Sequence, residues 1–233
     1  MGKKSWRMDN TSDDLVAGGC GLIILCCAIL FGIYTGVKLI RQEIKLASDR
    51  KLVKSCFGKE FCDGRIKALE RLVEAKKSLK KYDLSNADLN YASLSNADFR
   101  KANLTNATFY ETDLFRADFT NANLTNTDLR EASLHSADFK KARLINTDLE
   151  EADLSNADLK DATLTNTNFV RANLNRAYLG DVNLSQSVLK DATVKQTKFF
   201  GAKNLTTEQI KATCNWQEAV YDTVLSIQLK LRQ

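Results

Sequence analysis

The 233-residue chain has no proline, one histidine (His135), two methionines and two tryptophans, and only 8% of it is aromatic. A lone histidine excludes a multi-histidine metal site and leaves no basis for histidine-centred catalysis. No phosphate-binding loop and no cluster of metal ligands is present, so the reading includes no catalytic residue, no cofactor, no metal and no enzymatic activity. Charge of one sign is also lacking, except locally. Residues 1–82 carry 17 Lys/Arg against 9 Asp/Glu, residues 83–203 carry 14 against 17, and the last thirty residues balance at 3 and 3. The net +5 therefore describes no single surface. The basic residues do not interleave with aromatics as a nucleic-acid groove requires, so nucleic acid is not an expected partner.

Charge is wholly missing from residues 15–37, "LVAGGCGLIILCCAILFGIYTGV". At about 1.5 Å per residue, 23 residues span the ~30 Å hydrocarbon core. One transmembrane helix over 15–37 follows, with membrane lipid as its partner and residues 1–14 as a polar flank. No small-x-small site ends the run, which argues against a cleaved signal peptide. In "MGKKSW" the serine falls one position early for myristoylation. Gly32 and Gly36 offer a close helix–helix approach, hence self-association through this helix. Basic residues outnumber those of the N-terminal flank two to one after the run, which places the C-terminal part in the cytoplasm. Cys56 and Cys62 are a candidate disulfide, and a disulfide would instead demand an oxidising space such as the periplasm or the thylakoid lumen. Both sides stay open from the sequence.

Residues 38–63 form a basic connector. Over 38–81 there are 14 Lys/Arg and 6 Asp/Glu, a solvated charged helix by the plainer reading and an attractor of anionic headgroups by the other. Within residues 64–81, Ile66, Leu69, Leu72, Val73 and Leu79 make one apolar stripe, with Asp63 as N-cap. Such a helix just before a repeat array predicts a lid over its open end.

From Leu84 to Phe199 every fifth residue is large and apolar, 24 positions comprising 17 Leu, 6 Phe and 1 Val. Neither the 3.6-residue helical period nor the 2-residue strand period does this. Two residues before each centre stands Ala or another modest side chain, Tyr82 and Val182 being the larger ones. The residue just before the centre is usually Asp, Asn, Thr or Ser. A second period of 20 lies inside the first. Phe99, Phe119, Phe139 and Phe199 share one column and Phe109 and Phe169 another, whereas the columns of Leu84, Leu104, Leu124, Leu144 and Leu164 and of Leu94 hold no Phe. Thr127, Thr147, Thr167 and Ser187 fall in one column. Asn86, Asn106, Asn126, Asn146 and Asn166, continued by Gln186, predict a hydrogen-bonded ladder.

The tandem A(D/N)LXX pattern over residues 82–203 resembles the pentapeptide-repeat proteins. The resemblance implies an all-β solenoid, a right-handed quadrilateral parallel β-helix of about six coils, with the central residue and the preceding small residue inward and the other three in solvent. The tail, residues 204–233, reads as a C-terminal helical cap: Thr206 with Gln209 fits a capping box, and Ile210, Trp216, Ala219 and Val220 are placed to cover the last coil, with Cys214 packed. "LTTEQIK" and "NWQEAVYD" resemble the C-terminal helical segment of many cyanobacterial pentapeptide-repeat proteins, which implies a cyanobacterial source; with the uncharged run 15–37 the chain reads as a membrane-anchored member of that type.

A rod without a cleft points to a membrane-tethered scaffold or protein-interaction module with an unknown protein partner, and to self-association through a solenoid end. Arg100-Lys101 and Lys140-Lys141 mark one edge, and Arg130-Glu131 and Glu150-Glu151 another. The resemblance also implies an alternative, a DNA mimic that inhibits a DNA-binding enzyme such as gyrase, against which stand the weakly acidic solenoid and the tether.

Overall fold

The computed structural model describes residue 35, residues 38–56 and residues 64–228. The expected transmembrane span 15–37 lies outside the described residues except for Thr35, as do the flank 1–14, Cys62 and Asp63. Among the described residues no helix is long and apolar enough to cross a membrane. The chain divides into two units, residues 1–47 and 48–233. In the first, residues 38–47 begin helix α1 (38–55), and residues 38–45 are all exposed.

The second unit opens with the rest of α1; Val53 on it and Cys56 just after it are buried. Cys56 is disulfide-bonded. Among the described residues the other cysteine, Cys214, is free, so the partner sulfur lies outside them. Helix α2 (Arg65–Glu74) is tied back to α1 by Arg71, whose Nη2 and Nε reach the Asp49 carboxylate at 2.5 and 2.8 Å. Two sequence expectations change here. The N-cap of α2 is Gly64, in the left-handed region at φ 77°, with no side-chain cap bond. The helix also stops at Glu74 rather than 81, and its buried stripe is Ala68, Leu69 and Leu72, with Ile66 and Val73 only half-buried. Leu79 belongs to the solenoid instead: its N–H donates to the carbonyl of Asp98 at 3.0 Å, and Lys81 donates to Arg100 at 3.0 Å. The array thus begins one pentapeptide before residue 82.

The solenoid follows from a backbone pattern repeated every five residues. Around Leu104, the Ala102 N–H closes a turn onto the Phe99 carbonyl at 2.9 Å. Asn103 donates down to Tyr82 at 2.9 Å, Leu104 up to Asn123 at 2.8 Å and Asn106 up to Thr125 at 3.0 Å. The fifth N–H, of Thr105, goes to the Asn103 side-chain Oδ1 at 3.3 Å. Every N–H of the pentapeptide is therefore satisfied, as burial demands, and proline has no vacant position. Parallel bridges join the residue before each centre to its equivalent 20 further on, from Asp83↔Asn103 to Asn183↔Lys203. Four corners per coil result. The sides are too short for strands: each holds one isolated bridge, and among the described residues no extended strand forms. The all-β expectation is corrected to a solenoid of single-residue bridges, because a corner every fifth residue interrupts each ladder.

The inward residues make a continuous core. Leu84 is 2% exposed, and Leu104, Leu124, Leu144, Leu164 and all six central phenylalanines are fully buried. Each such burial contributes about 1.5–3 kcal/mol before chain entropy. Phe99, Phe119 and Phe139 stack at centroid distances of 5.2 and 4.9 Å, with planes within 11°. Where Thr or Ser replaces Ala, its hydroxyl donates to the carbonyl of a central residue of the preceding coil, as Thr127 does to Leu104 at 2.9 Å and Thr147 to Leu124 at 2.7 Å. A hydroxyl buried without that bond would cost about 1–3 kcal/mol. Tyr82, at the end coil, is half-exposed rather than inward.

The second residue after each centre lies at positive φ, from Lys81 (63°) through Gln196 (58°), and Gly201 (69°) continues the series. Asn, Asp, Lys, Arg, Glu, Gln, Ser and Tyr occupy these corners between 81 and 196, never a β-branched residue. Valine or isoleucine there would be a genuine steric outlier.

The tail does more than cover the end. Thr206 and Gln209 form the capping box of α3 (Thr207–Lys211), and Ile210 is buried. Beyond it Cys214 bridges Thr193 and Val220 bridges Lys198, so the chain adds part of a further coil before α4 (Thr223–Gln228). Trp216 and Ala219 are half-buried, while Val220 is 38% exposed and Cys214 exposed. These last two are ladder residues, not the packed ones expected. Tyr221 stacks on Phe199 at 5.8 Å and closes the Phe column.

Lys141, exposed at φ 58°, isolates the corner constraint. Lys141→Val should lower unfolding stability by about 1–2 kcal/mol, and Lys141→Asn should raise it by a few tenths, read from urea midpoints of the full chain.

Candidate protein-binding face

Because bridges repeat at 20, the outward side chains form columns, and each side of the coil has its own chemistry. The Leu84 side (82–86 and its repeats to 182–186) holds only two charged residues, Asp83 and Arg143. Its corner is the asparagine ladder: Asn106 donates to Asn86 and Asn126 to Asn106, each at 3.0 Å, Asn146 to Asn126 and Asn166 to Asn146, each at 2.9 Å. These amides satisfy one another, so this side offers few open hydrogen-bonding groups.

The Phe99 side (97–101 and its repeats to 197–201) balances six acidic against six basic residues, and much of that charge is internally paired. Arg100 spans Asp98 at 2.7 Å and Asp118 at 3.5 Å, and Lys140 spans Asp138 at 2.7 Å and Asp158 at 2.9 Å. The Arg100 hydrogen bond, aided by one from Ser78, depresses the Asp98 carboxyl to about 2.

On the Leu94 side, His135 stacks on Phe115 at 5.6 Å and Arg116 covers the same ring at 4.9 Å. The His135 Nδ1 lies 2.8 Å from the Ser155 hydroxyl, which donates to Asp153 at 2.6 Å. The half-buried ring lies outward, just before the Ser136 corner, packed by its neighbours one coil away. A groove of about 750 Å³ lies between the α2 end and the first coils, lined by Glu74, Lys76, Lys77, Ser78, Ser93 and Asp98 among others. In it Asp98 is moved toward the ionised form, the reverse of a general acid. No group of three or more potential metal ligands exists among the described residues.

The Leu89 side differs. Residues 87–91 and their repeats to 187–191 carry eight Asp/Glu and three Lys/Arg. Tyr91, 66% exposed, meets Tyr110 edge-on at 5.7 Å. Arg130 lies over the Tyr110 ring at 5.7 Å, and the Tyr110 hydroxyl donates to Glu131 at 2.9 Å. Hydrogen bonds to Glu131 and Glu111 push that phenol well above its ordinary range. Arg171 holds both Glu150 and Glu151, with Glu151 at 2.5 Å. Tyr110, Arg130, Glu131, Glu150, Glu151 and Arg171 enclose a dent of about 150 Å³, too shallow for a small-molecule site. Two tyrosines with a rim of carboxylates are the anchor-and-rim chemistry of a protein contact.

The Tyr110 backbone shows what sequence reasoning missed. Where the residue before the centre is Asp or Asn, its Oδ1 takes the N–H two residues on, as Asp88 does for Asn90 at 3.1 Å. Thr108 cannot fill that role, and Asn90 Oδ1 from the coil below accepts from Tyr110 N–H at 2.7 Å instead. The signal was the Asp/Asn preference at that column; its cross-coil substitute needed the fold.

A family described as a pentapeptide repeat region matches residues 92–169, and one described as pentapeptide repeats (8 copies) matches 152–191 and 167–203. Residues 92–203 are a pentapeptide-repeat region. No curated relative matches the chain. Among solved structures it is similar to the pentapeptide repeat protein Rfr23 from the cyanobacterium Cyanothece 51142, at 28% identity and TM-score 0.29, covering 58% of this chain and 64% of that one. HetL, a pentapeptide repeat protein involved in heterocyst differentiation regulation from Nostoc sp. strain PCC 7120, is 27% identical with TM-score 0.21, covering 61% and 82%. QnrB1, a plasmid-mediated fluoroquinolone resistance protein, is 18% identical with TM-score 0.28, covering 66% and 82%. The repeat pattern of the pentapeptide-repeat region, rather than any superposition, carries its assignment.

Removing the Arg100 partner tests the charge pairing on the Phe99 side. The Asp98 pKa in the fold, about 2, lies below its unfolded value near 3.9. Its contribution to stability is therefore present above about pH 4 and lost as pH falls through 2. Arg100→Gln should raise the Asp98 midpoint toward the ordinary carboxylate range, read by carbon-detected titration, and shrink the acid-labile part of stability.

Proposed function

We propose that the chain is a non-enzymatic, membrane-tethered interaction module whose pentapeptide-repeat rod presents the Leu89 side to a basic partner protein. The observation that carries this is the concentration of eight acidic residues against three basic ones, beside the exposed Tyr91 ring and its edge contact with Tyr110, on one side of a rod whose Leu84 and Phe99 sides balance their charges. The tether is the uncharged run 15–37. For sidedness, the basic flank supports a cytoplasmic rod, whereas the Cys56 disulfide supports the periplasm or thylakoid lumen. We assign Cys62 as the partner of Cys56, since Cys20, Cys26 and Cys27 belong to the apolar run.

The acidic side also bears on the DNA-mimic reading. Duplex DNA carries one charge per ~1.7 Å of axis, so a rod of six coils at ~4.8 Å would need roughly 17 charges to match it. The Leu89 side nets −5, and Arg130 and Arg171 interrupt it. Charge density favours a protein contact over duplex mimicry.

A photo-crosslinking residue at position 91 or 110 should yield one defined, salt-sensitive adduct in membranes of the source cell, while the same residue at 105, on the neutral side, should yield none. Equal labelling from both sides, or none from either, would sink the module reading. Stoichiometric inhibition of gyrase supercoiling by the purified chain would put the DNA mimic in its place.

A further inference from the structure

Helix α1 has a portion that the fold leaves uncovered. Residues 38–45 are exposed without exception, and they include three large apolar side chains: Leu39 at 62%, Ile40 at 61% and Ile44 at 65%. Isolated exposed aliphatics need no explanation, but three within two turns of one helix do. At about 100° per residue, Leu39, Ile40 and Ile44 fall on one arc of the helix. Lys38, Arg41 and Lys45 fall on the opposite arc. Further along α1 the arrangement changes, with Leu46, Asp49 and Val53 all buried.

An apolar arc against a basic arc is the pattern of a helix that lies at a membrane surface, with its aliphatic side in the acyl boundary and its cations among the phosphates. What stands before it selects this occupant over a protein. The uncharged run 15–37 ends one residue before Lys38, so a chain anchored by that run delivers Leu39, Ile40 and Ile44 to the level where acyl chains meet headgroups. Glu43 interrupts the apolar arc, which suits the interface and not the hydrocarbon interior.

We propose that residues 38–45 are a lipid-binding turn that takes anionic phospholipid headgroups, with Lys38, Arg41 and Lys45 as the headgroup contacts and Leu39, Ile40 and Ile44 as the buried side. The assignment rests on the reading of 15–37 as the anchor. It adds a lipid class to that reading and names the residues that select it. It also separates two contacts along the chain: lipid at the first turns of α1, and protein at the Leu89 side of the solenoid.

The test uses the full chain reconstituted in vesicles of phosphatidylcholine with phosphatidylglycerol. Ile44→Trp serves as the probe, read as the difference from the parent with its own tryptophans. Brominated phosphatidylglycerol should quench this emission about twofold or more strongly than brominated phosphatidylcholine at equal mole fraction. The combined Lys38→Gln, Arg41→Gln and Lys45→Gln changes, all at exposed positions, should abolish the difference while leaving the thermal unfolding midpoint unchanged. Emission quenched equally by both lipids before those changes, or by neither, overturns the proposal if the chain stays with the vesicles through an alkaline carbonate wash, and the anchor then stands alone. Release of the chain by the wash overturns the anchor and the proposal together.

Discussion

Every side of the solenoid depends on one backbone condition, a residue held in the left-handed region at each corner. For an L-residue with a side chain this costs roughly 1–2 kcal/mol, and it recurs every five residues from Lys81 to Gln196. The conformation persists because the corner residue's own N–H reaches the next coil, as Asn126 does to Ile145 at 2.9 Å, and because the turn swings both flanking side chains into the core. The strain is local and the return is shared between coils, so a single coil would not be stable alone. The same condition explains the composition. Asn and Asp, which tolerate the left-handed region best, recur at the corners, and β-branched residues are excluded from them.

A period of 20 turns that local rule into a surface. Each outward position stacks on its equivalents one coil above and below, so a preference at one sequence position becomes a column on the rod. Like charges in a column repel unless opposite charges are set between them, as Arg100 and Lys140 are among the aspartates of the Phe99 side. The Leu89 side departs from this balance. There the excess acid remains, and two tyrosines break the run of small polar residues. Uncompensated charge and the exposed Tyr91 ring thus coincide on this one side.

The ends show how the array stops. At the start, α2 buries Ala68, Leu69 and Leu72 and hands over to a solenoid position at Leu79. At the far end, the tail extends the ladder through Cys214 and Val220 before α4. Both devices prevent an open coil from exposing its core and its unpaired backbone. In the first unit, residues 38–45 of α1 are exposed and follow the uncharged run 15–37 directly in sequence.

Much of this was legible in the residues. The five-residue recurrence of Leu and Phe determined which side chains are buried, the 20-residue recurrence of Phe, Thr and Asn determined four sides per coil, and Thr206 with Gln209 determined the helix start at 207. These are readable because a repeat writes the same local constraint many times. Leu79 was misread because its five-residue phase coincides with the end of a helical stripe, and only the hydrogen bond to Asp98 separates the two. Val220 and Cys214 were misread because a ladder residue and a capping residue are both apolar. The meeting of Tyr91, Tyr110, Arg130 and Glu131 lies at spacings of about one coil, visible once the register is known. By itself, then, the sequence determined the repeat, its core and its register, since these follow from local sterics and periodic burial. Tertiary structure alone decided where the array begins and ends and which neighbours share a charge or a ring, since these depend on contacts between coils that no single pentapeptide encodes.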